Sequence, residues 1–183
     1  MSSNHVSIDL ETLGTTPGSV IVSIGAVMFD PTLPFDVQET PTYYINIERE
    51  SSKAHGLTMD AGTVAWWNKQ SPEAIEHLKE DQRPVDECLR DFAQWFRNNA
   101  GKYPWGHGAA FDLALLAAAY RAVGQKEPWG FFNERDTRTL FHVSDVSVKR
   151  AEGTHHYALD DAKAQADAVC RAWAKYIQLT PVE

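Results

Sequence analysis

Basic residues are scarce in this chain. Seventeen lysines and arginines stand against 25 acidic residues among 183, a formal charge of −8. That balance argues against a protein that grips duplex nucleic acid by a broad cationic surface, since phosphate contacts dominate such affinity. It leaves room for a local acidic site, where divalent cations would neutralise clustered carboxylates and let a short strand approach. Cysteine is nearly absent. Cys88 and Cys170 are isolated, lack metal-ligand spacing and fall in helix-patterned segments, so they read as reduced core thiols of a cytoplasmic protein. No run of about 20 apolar residues occurs, which argues against a membrane partner. The opening MSSNHVSIDL lacks a basic stretch followed by an apolar one, so no secretory signal is read there. Repeats, low-complexity tracts and linkers are missing as well. What is left is a chain 43% apolar and 23% charged, read as one domain over residues 1–183.

Segments 5–12, 19–29 and 42–48 are rich in Val, Ile, Tyr and Thr and read as strands, with GTTPGS at 14–19 as the turn between the first two. Residues 62–81 read as helical, in two short pieces with Pro72 in a first turn. Over 84–99, Val85, Cys88, Leu89, Phe92, Trp95 and Phe96 recur at helical spacing, and Gly101 follows as a stop. KYPWGHG reads as a short strand, 111–123 as an apolar helix, and EPWGFFNERDTRTLFHV as a strand or short helix. Residues 143–155 are polar and read as a mobile connection; 157–177 form the last helix. Hairpins make the early strands antiparallel and helical crossovers make the later ones parallel. The expectation is an α/β fold: a mixed five- to six-stranded sheet with helices on both faces.

The first strand carries acids on one side. In VSIDLETLG, Val6, Ile8 and Leu10 point one way and Ser7, Asp9 and Glu11 the other. Two carboxylates at i and i+2 sit about 7 Å apart along the chain and repel each other, which favours a cation between them; a solvated strand face is the alternative. Asp112, in GHGAAFDLALL, falls on the apolar stripe of its helix with Leu116, Ala119 and Val123. A bare buried carboxylate is costly unless paired or metal-bound, although an N-cap Asp turned onto backbone N–H groups would also explain it.

GTHHYALDDAKAQA, residues 153–166, doubles both a histidine and an aspartate. The last helix places Leu159, Ala162, Ala166, Val169, Trp173 and Ile177 on one stripe, taken as its core face. Asp160 lies with Lys163, Asp167 and Arg171 on a charged face. Asp161 lies at the margin of the core stripe with Ala158, Gln165, Ala168 and Ala172. Asp161 is therefore the site candidate and Asp160 the surface residue. His156, nearer the helix entrance, is preferred over His155.

DLETLG, HGAAFD and HHYALDDA, in that order and at these separations, resemble the three signature motifs of DnaQ-like, or DEDDh, 3′→5′ exonucleases, and the resemblance covers roughly residues 5–177. HGLT at 55–58 resembles a segment often found after the third strand in this family, and TVAWWNKQSPEA at 63–74 resembles a compact exoribonuclease-like and phage-type subgroup. One departure stands out: many relatives carry Asn where this chain has Gly108, so a contact there is absent or replaced. The resemblance implies a ribonuclease H-like fold and two divalent cations, Mg²⁺ or Mn²⁺, held by Asp9, Glu11, Asp112 and Asp161. Asp9 would bridge both ions, Glu11 and Asp161 would serve the water-activating one and Asp112 the other. His156 would be the general base, and nucleoside 5′-monophosphates would leave one at a time from the 3′ end of single-stranded RNA or DNA.

By the same resemblance Thr12, Leu13 and Gly14 meet the terminal nucleotide, with Leu13 as a wedge and Gly14 admitting close backbone approach. Trp66 or Trp67 would stack on a base; residues adjacent on a helix differ by about 100°, so one faces the site and the other the core. Lys149 and Arg150 are candidates for backbone phosphates, as are Arg135 and Arg138, which flank Asp136. Two other readings stay open: an oligoribonuclease-type enzyme limited to very short RNAs, and a non-catalytic nucleic-acid-binding module. RNA versus DNA is undecided, because no motif reports a contact to the 2′-hydroxyl. A homodimer fits the subgroup.

Overall fold

The computed structural model describes residues 4–36, 38, 40–149 and 156–179. The chain begins with three strands, β1 (His5–Thr12), β2 (Ile21–Phe29) and β3 (Thr42–Asn46), paired antiparallel in sequence order. Four helices follow: α1 (Arg49–Ala54), α2 (Ala61–Trp67), α3 (Pro72–His77) and α4 (Val85–Asn98). Next come β4 (Tyr103–Gly106), α5 (Asp112–Ala122), a 3₁₀ turn (Phe131–Asn133), β5 (Arg135–Asp136), α6 (Thr137–Ser144) and α7 (Ala158–Leu179). Among the described residues the sheet has five strands in the order β3-β2-β1-β4-β5, with β4 parallel to β1 and β5 parallel to β4. It is the mixed sheet expected from hairpins first and helical crossovers later.

The two sides of β1 bury different partners. Val6, Ile8 and Leu10 join Leu89, Phe92 and Phe96 of α4 and Leu113, Leu116 and Tyr120 of α5 in one apolar core. On the other side Val27, Phe29 and Trp105 pack with Phe141 of α6 and Ala162, Ala166 and Val169 of α7. Helices thus cover both faces, and the strand alternation that separates Ile8 from Asp9 assigns the acids to the α7 side.

Three local expectations are corrected. The unexpected α1 is a six-residue turn of helix, RESSKA, without apolar periodicity or a side-chain cap. β3 stops at Asn46, leaving Ile47 in an isolated bridge to Arg83. The buried face of α7 is rotated from the expected stripe. Leu159 is half-buried and Ile177 is 53% exposed, whereas Ala158, Ala168 and Ala172 are fully buried and Gln165 is 5% exposed. A helix lying flat on a sheet selects small residues that permit close approach, not the most hydrophobic ones. By contrast α2 and α3 are the two expected short pieces, with Ser71 capping the Ala74 N–H and Pro72 in the first turn of α3.

Candidate active site

Asp9 and Glu11 project from the carboxyl end of β1, where open α/β sheets present their binding crevices. A bulge between Glu11 and Thr12 ends the regular pairing with β2. Directly across from Asp9 on β2 stands Gly25. A Cβ there would collide with the Ala158 carbonyl and the Leu159 amide. The bare α carbon therefore lets the first turn of α7 settle onto the sheet, and Asp161, one turn in, comes down beside β1. Asp9, Glu11 and Asp161 each offer a carboxylate oxygen within 4.8 Å of the others.

Asp112 reaches the same region from the neighbouring parallel strand. It opens α5 just beyond β4 and is 2% exposed. It is not an N-cap: Phe111 holds that position, and the Asp112 carboxylate instead accepts the His107 N–H at 2.9 Å. Asp112 stands outside the 4.8 Å set, yet its charge acts on both Asp9 and Glu11.

Burial is the first cause that raises all three β1 and α5 carboxyls. Asp9 is pushed well above the carboxylate range by burial and then by Asp112, Glu11 and Asp161, against one hydrogen bond from Gln165. Glu11 is pushed up to about 8 by burial, Asp161 and Asp112. Asp112 rises to about 7 through burial, opposed by the His107 N–H and the Arg138 charge. Carboxylates crowded this way favour either protons or a hard cation. The donor set, all oxygen, fits Mg²⁺ or Mn²⁺ better than a soft metal. Gln165 donates to Asp9 Oδ1 at 2.7 Å, while its own Oε1 is buried with no hydrogen-bond partner among the described residues.

The doubled motif separates. Asp161 joins the cluster; Asp160 pairs with Lys163 at 3.4 Å on the charged face. His156 precedes α7 in the left-handed region, φ +66°. Its ring meets Trp66 and Trp67 edge-on at 4.8 and 5.9 Å between centroids. His155 lies outside the described residues. Asp9, Glu11, Asp161, His156, Trp66 and Trp67 border a cleft of about 590 Å³, lined also by Thr12, Asp60, Thr63 and Phe111.

The two tryptophans divide as their spacing requires. Trp67 is buried and donates its indole N–H to the Thr12 carbonyl at 2.9 Å; Trp66 is 42% exposed. HGLT delivers this helix: Thr58 bonds Gly18 and Val20 through its backbone, and the Asp60 N–H donates to the Leu13 carbonyl at 2.7 Å. The residues expected to meet the nucleotide take different places. Thr12 borders the cleft, its hydroxyl donating to the Gly14 carbonyl at 2.8 Å. Leu13 is 5% exposed, packs in the core and borders a separate cavity of about 110 Å³ with Val22, Val64 and Trp67. Gly14 is buried, packed under Ser19. Lys149 is exposed and does not line the cleft. Arg150 lies outside the described residues.

Sequence reasoning missed Gly25, Gln165, Asp60, Thr63 and Phe111. An isolated glycine inside VSIGAV was a legible sign of close backbone approach. Nothing marked Gln165, whose role depends on a residue 156 positions away.

A family model described as the 3′-5′ exoribonuclease Rv2179c-like domain matches residues 4–173. An exodeoxyribonuclease of Enterobacteria phage T4 is 27% identical over 168 residues, which covers 77% of this chain and 74% of the phage protein. Among solved structures, the Mg²⁺- and Mn²⁺-bound form of S. pombe Pop2p superposes with a TM-score of 0.58 at 15% identity, over 98% of this chain and 86% of that one. E. coli exonuclease I in complex with a dT13 oligonucleotide gives 0.60 at 13% identity, over 95% of this chain and 40% of exonuclease I. This chain thus spans about two fifths of exonuclease I. These likenesses establish the ribonuclease H-like fold.

Proposed function

The chain belongs to the 3′-5′ exoribonuclease Rv2179c-like family, and from that premise we propose that it is a Mg²⁺- or Mn²⁺-dependent exonuclease that trims single-stranded nucleic acid from the 3′ end. The observation that carries the reading is the convergence of Asp9, Glu11 and Asp161 from the sheet and the last helix. Asp9, Glu11, Asp112 and Asp161 would hold two divalent cations. When bound, such ions neutralise the phosphodiester and acidify a water.

The other side chains have distinct tasks. His156 takes the attacking water's proton on its imidazole. Trp66 stacks on the terminal base, held in place by the buried Trp67. Gln165 orients Asp9 through its amide. Water attacks phosphorus, the bond to the 3′ oxygen breaks, that oxygen takes a proton from solvent to leave a 3′-hydroxyl on the shortened strand, and a nucleoside 5′-monophosphate departs. A family described as exoribonuclease and a phage relative called exodeoxyribonuclease leave both sugars in play.

Matched RNA and DNA oligomers labelled at either end, digested with Mg²⁺, Mn²⁺ or EDTA, test this. The expected result is stepwise loss from the 3′ end with divalent metal and none in EDTA or with Asp161→Asn. Wild-type rates from purified Asp161→Asn would overturn the assignment.

A further inference from the structure

Gly108 leaves a space beside the loop that leads to Asp112, and the structure shows what occupies it. Its φ is +96°, and a Cβ built there would lie 3.0 Å from Nη1, 3.1 Å from Cζ and 3.4 Å from Nε of Arg138. The guanidinium packs broadside on the bare α carbon. Arg138 sits in the first turn of α6 and is held there by Asp136, which works in two directions. Asp136 Oδ1 accepts the Thr139 N–H at 2.9 Å, fixing the start of α6, and Oδ2 accepts the Ala109 N–H at 2.7 Å, fixing the loop that leads to Asp112. The same loop places Phe111 in the cleft wall, with the Phe111 N–H donating to the Gly108 carbonyl at 2.7 Å.

Arg138 is exposed; its backbone N–H bonds to Asp136, but no side-chain hydrogen bond or ion pair joins its guanidinium to a described residue. A cation fixed beside an acid cluster, yet bonded to none of its carboxylates, keeps its N–H fork available for another anion. Guanidinium geometry matches a phosphate in a two-pronged contact. Resting on the exonuclease reading above, we propose that Arg138 is a substrate-binding residue: its guanidinium, seated on Gly108, takes a backbone phosphate of the single strand on the Asp112 side of the acid cluster.

The test compares wild type, Arg138→Ala and Arg138→Lys on one labelled single strand, across salt concentrations. For Arg138→Ala, KM rises about tenfold or more with kcat within about twofold, and the slope of log affinity against log salt falls by about 0.7, one phosphate contact on a single strand. Arg138→Lys keeps the salt slope and recovers only part of KM, since an ammonium lacks the fork. Unchanged KM and slope in Arg138→Ala would overturn the proposal. So would a fall in kcat at constant KM, which would place the residue on Asp112 instead of the strand. Absence of metal-dependent hydrolysis by the wild type would sink the exonuclease reading alone. Strand affinity by fluorescence anisotropy then decides Arg138, and equal affinity of wild type and Arg138→Ala would count against it.

Discussion

Asp160 and Asp161 are adjacent and chemically alike, and a helical step of about 100° gives them different physics. One meets Lys163 in water; the other meets two carboxylates against the sheet. Alternation along β1 and the wheel of the last helix made that division readable before any coordinates. Gln165 was not readable, because an amide one turn beyond Asp161 has many possible partners and only packing selects Asp9. Its hydrogen bond is the one that favours the ionised form of Asp9. Gln165→Leu, similar in volume, is expected to weaken Mg²⁺ or Mn²⁺ binding about 10- to 100-fold, as outer-shell partners of metal ligands do. Isothermal titration measures this, with circular dichroism as the control for folding. Wild-type affinity in Gln165→Leu would show that Asp9 needs no such support.

At the scale of elements, α7 is the piece that completes the site, and its seat is a single glycine. The apolar stripes of α4 and the alternation of β1 follow from local periodicity, so both were legible. The roll of α7 about its own axis was not, because small residues carry little hydrophobic signal while deciding how near a helix comes to a sheet. Gly25→Ala pushes against backbone, which cannot rotate aside as a side chain can. Its expected cost is about 1–3 kcal/mol from overpacking. Activity should fall on the order of 10²-fold if Asp161 shifts by about an ångström. Chemical denaturation and kcat/KM read the two effects separately. Full stability with full activity would mean that α7 is not held by this contact.

At the scale of the whole molecule, a chain of charge −8 gathers four acids in one region and must offset their repulsion. Folding raises Glu11 from 4.5 to about 8 and Asp112 from 3.8 to about 7. A raised carboxyl binds protons more readily folded than unfolded, so its contribution to stability is full below the unfolded value and is lost as pH rises. In EDTA the Tm should therefore decline from about pH 4 to about pH 7 through Asp112, and on to about pH 8 through Glu11. Bound cations favour the ionised carboxylates and reverse the sign. Mg²⁺ or Mn²⁺ should raise Tm little near pH 5 and most near pH 8. Thermal melts with metal and with EDTA across that range check it; a metal effect independent of pH would argue that these carboxyls are not the ligands. The amino-acid sequence by itself determined most of the elements, the mixed character of the sheet and which acids are candidates, because periodicity, turn chemistry and residue type are local properties. Only the tertiary structure decided that α7 descends onto Gly25, that Leu13 turns into the core and that Arg138 fills the space at Gly108. Each of those depends on how closely two segments distant in the chain can approach, and that distance is set by the shape of both together.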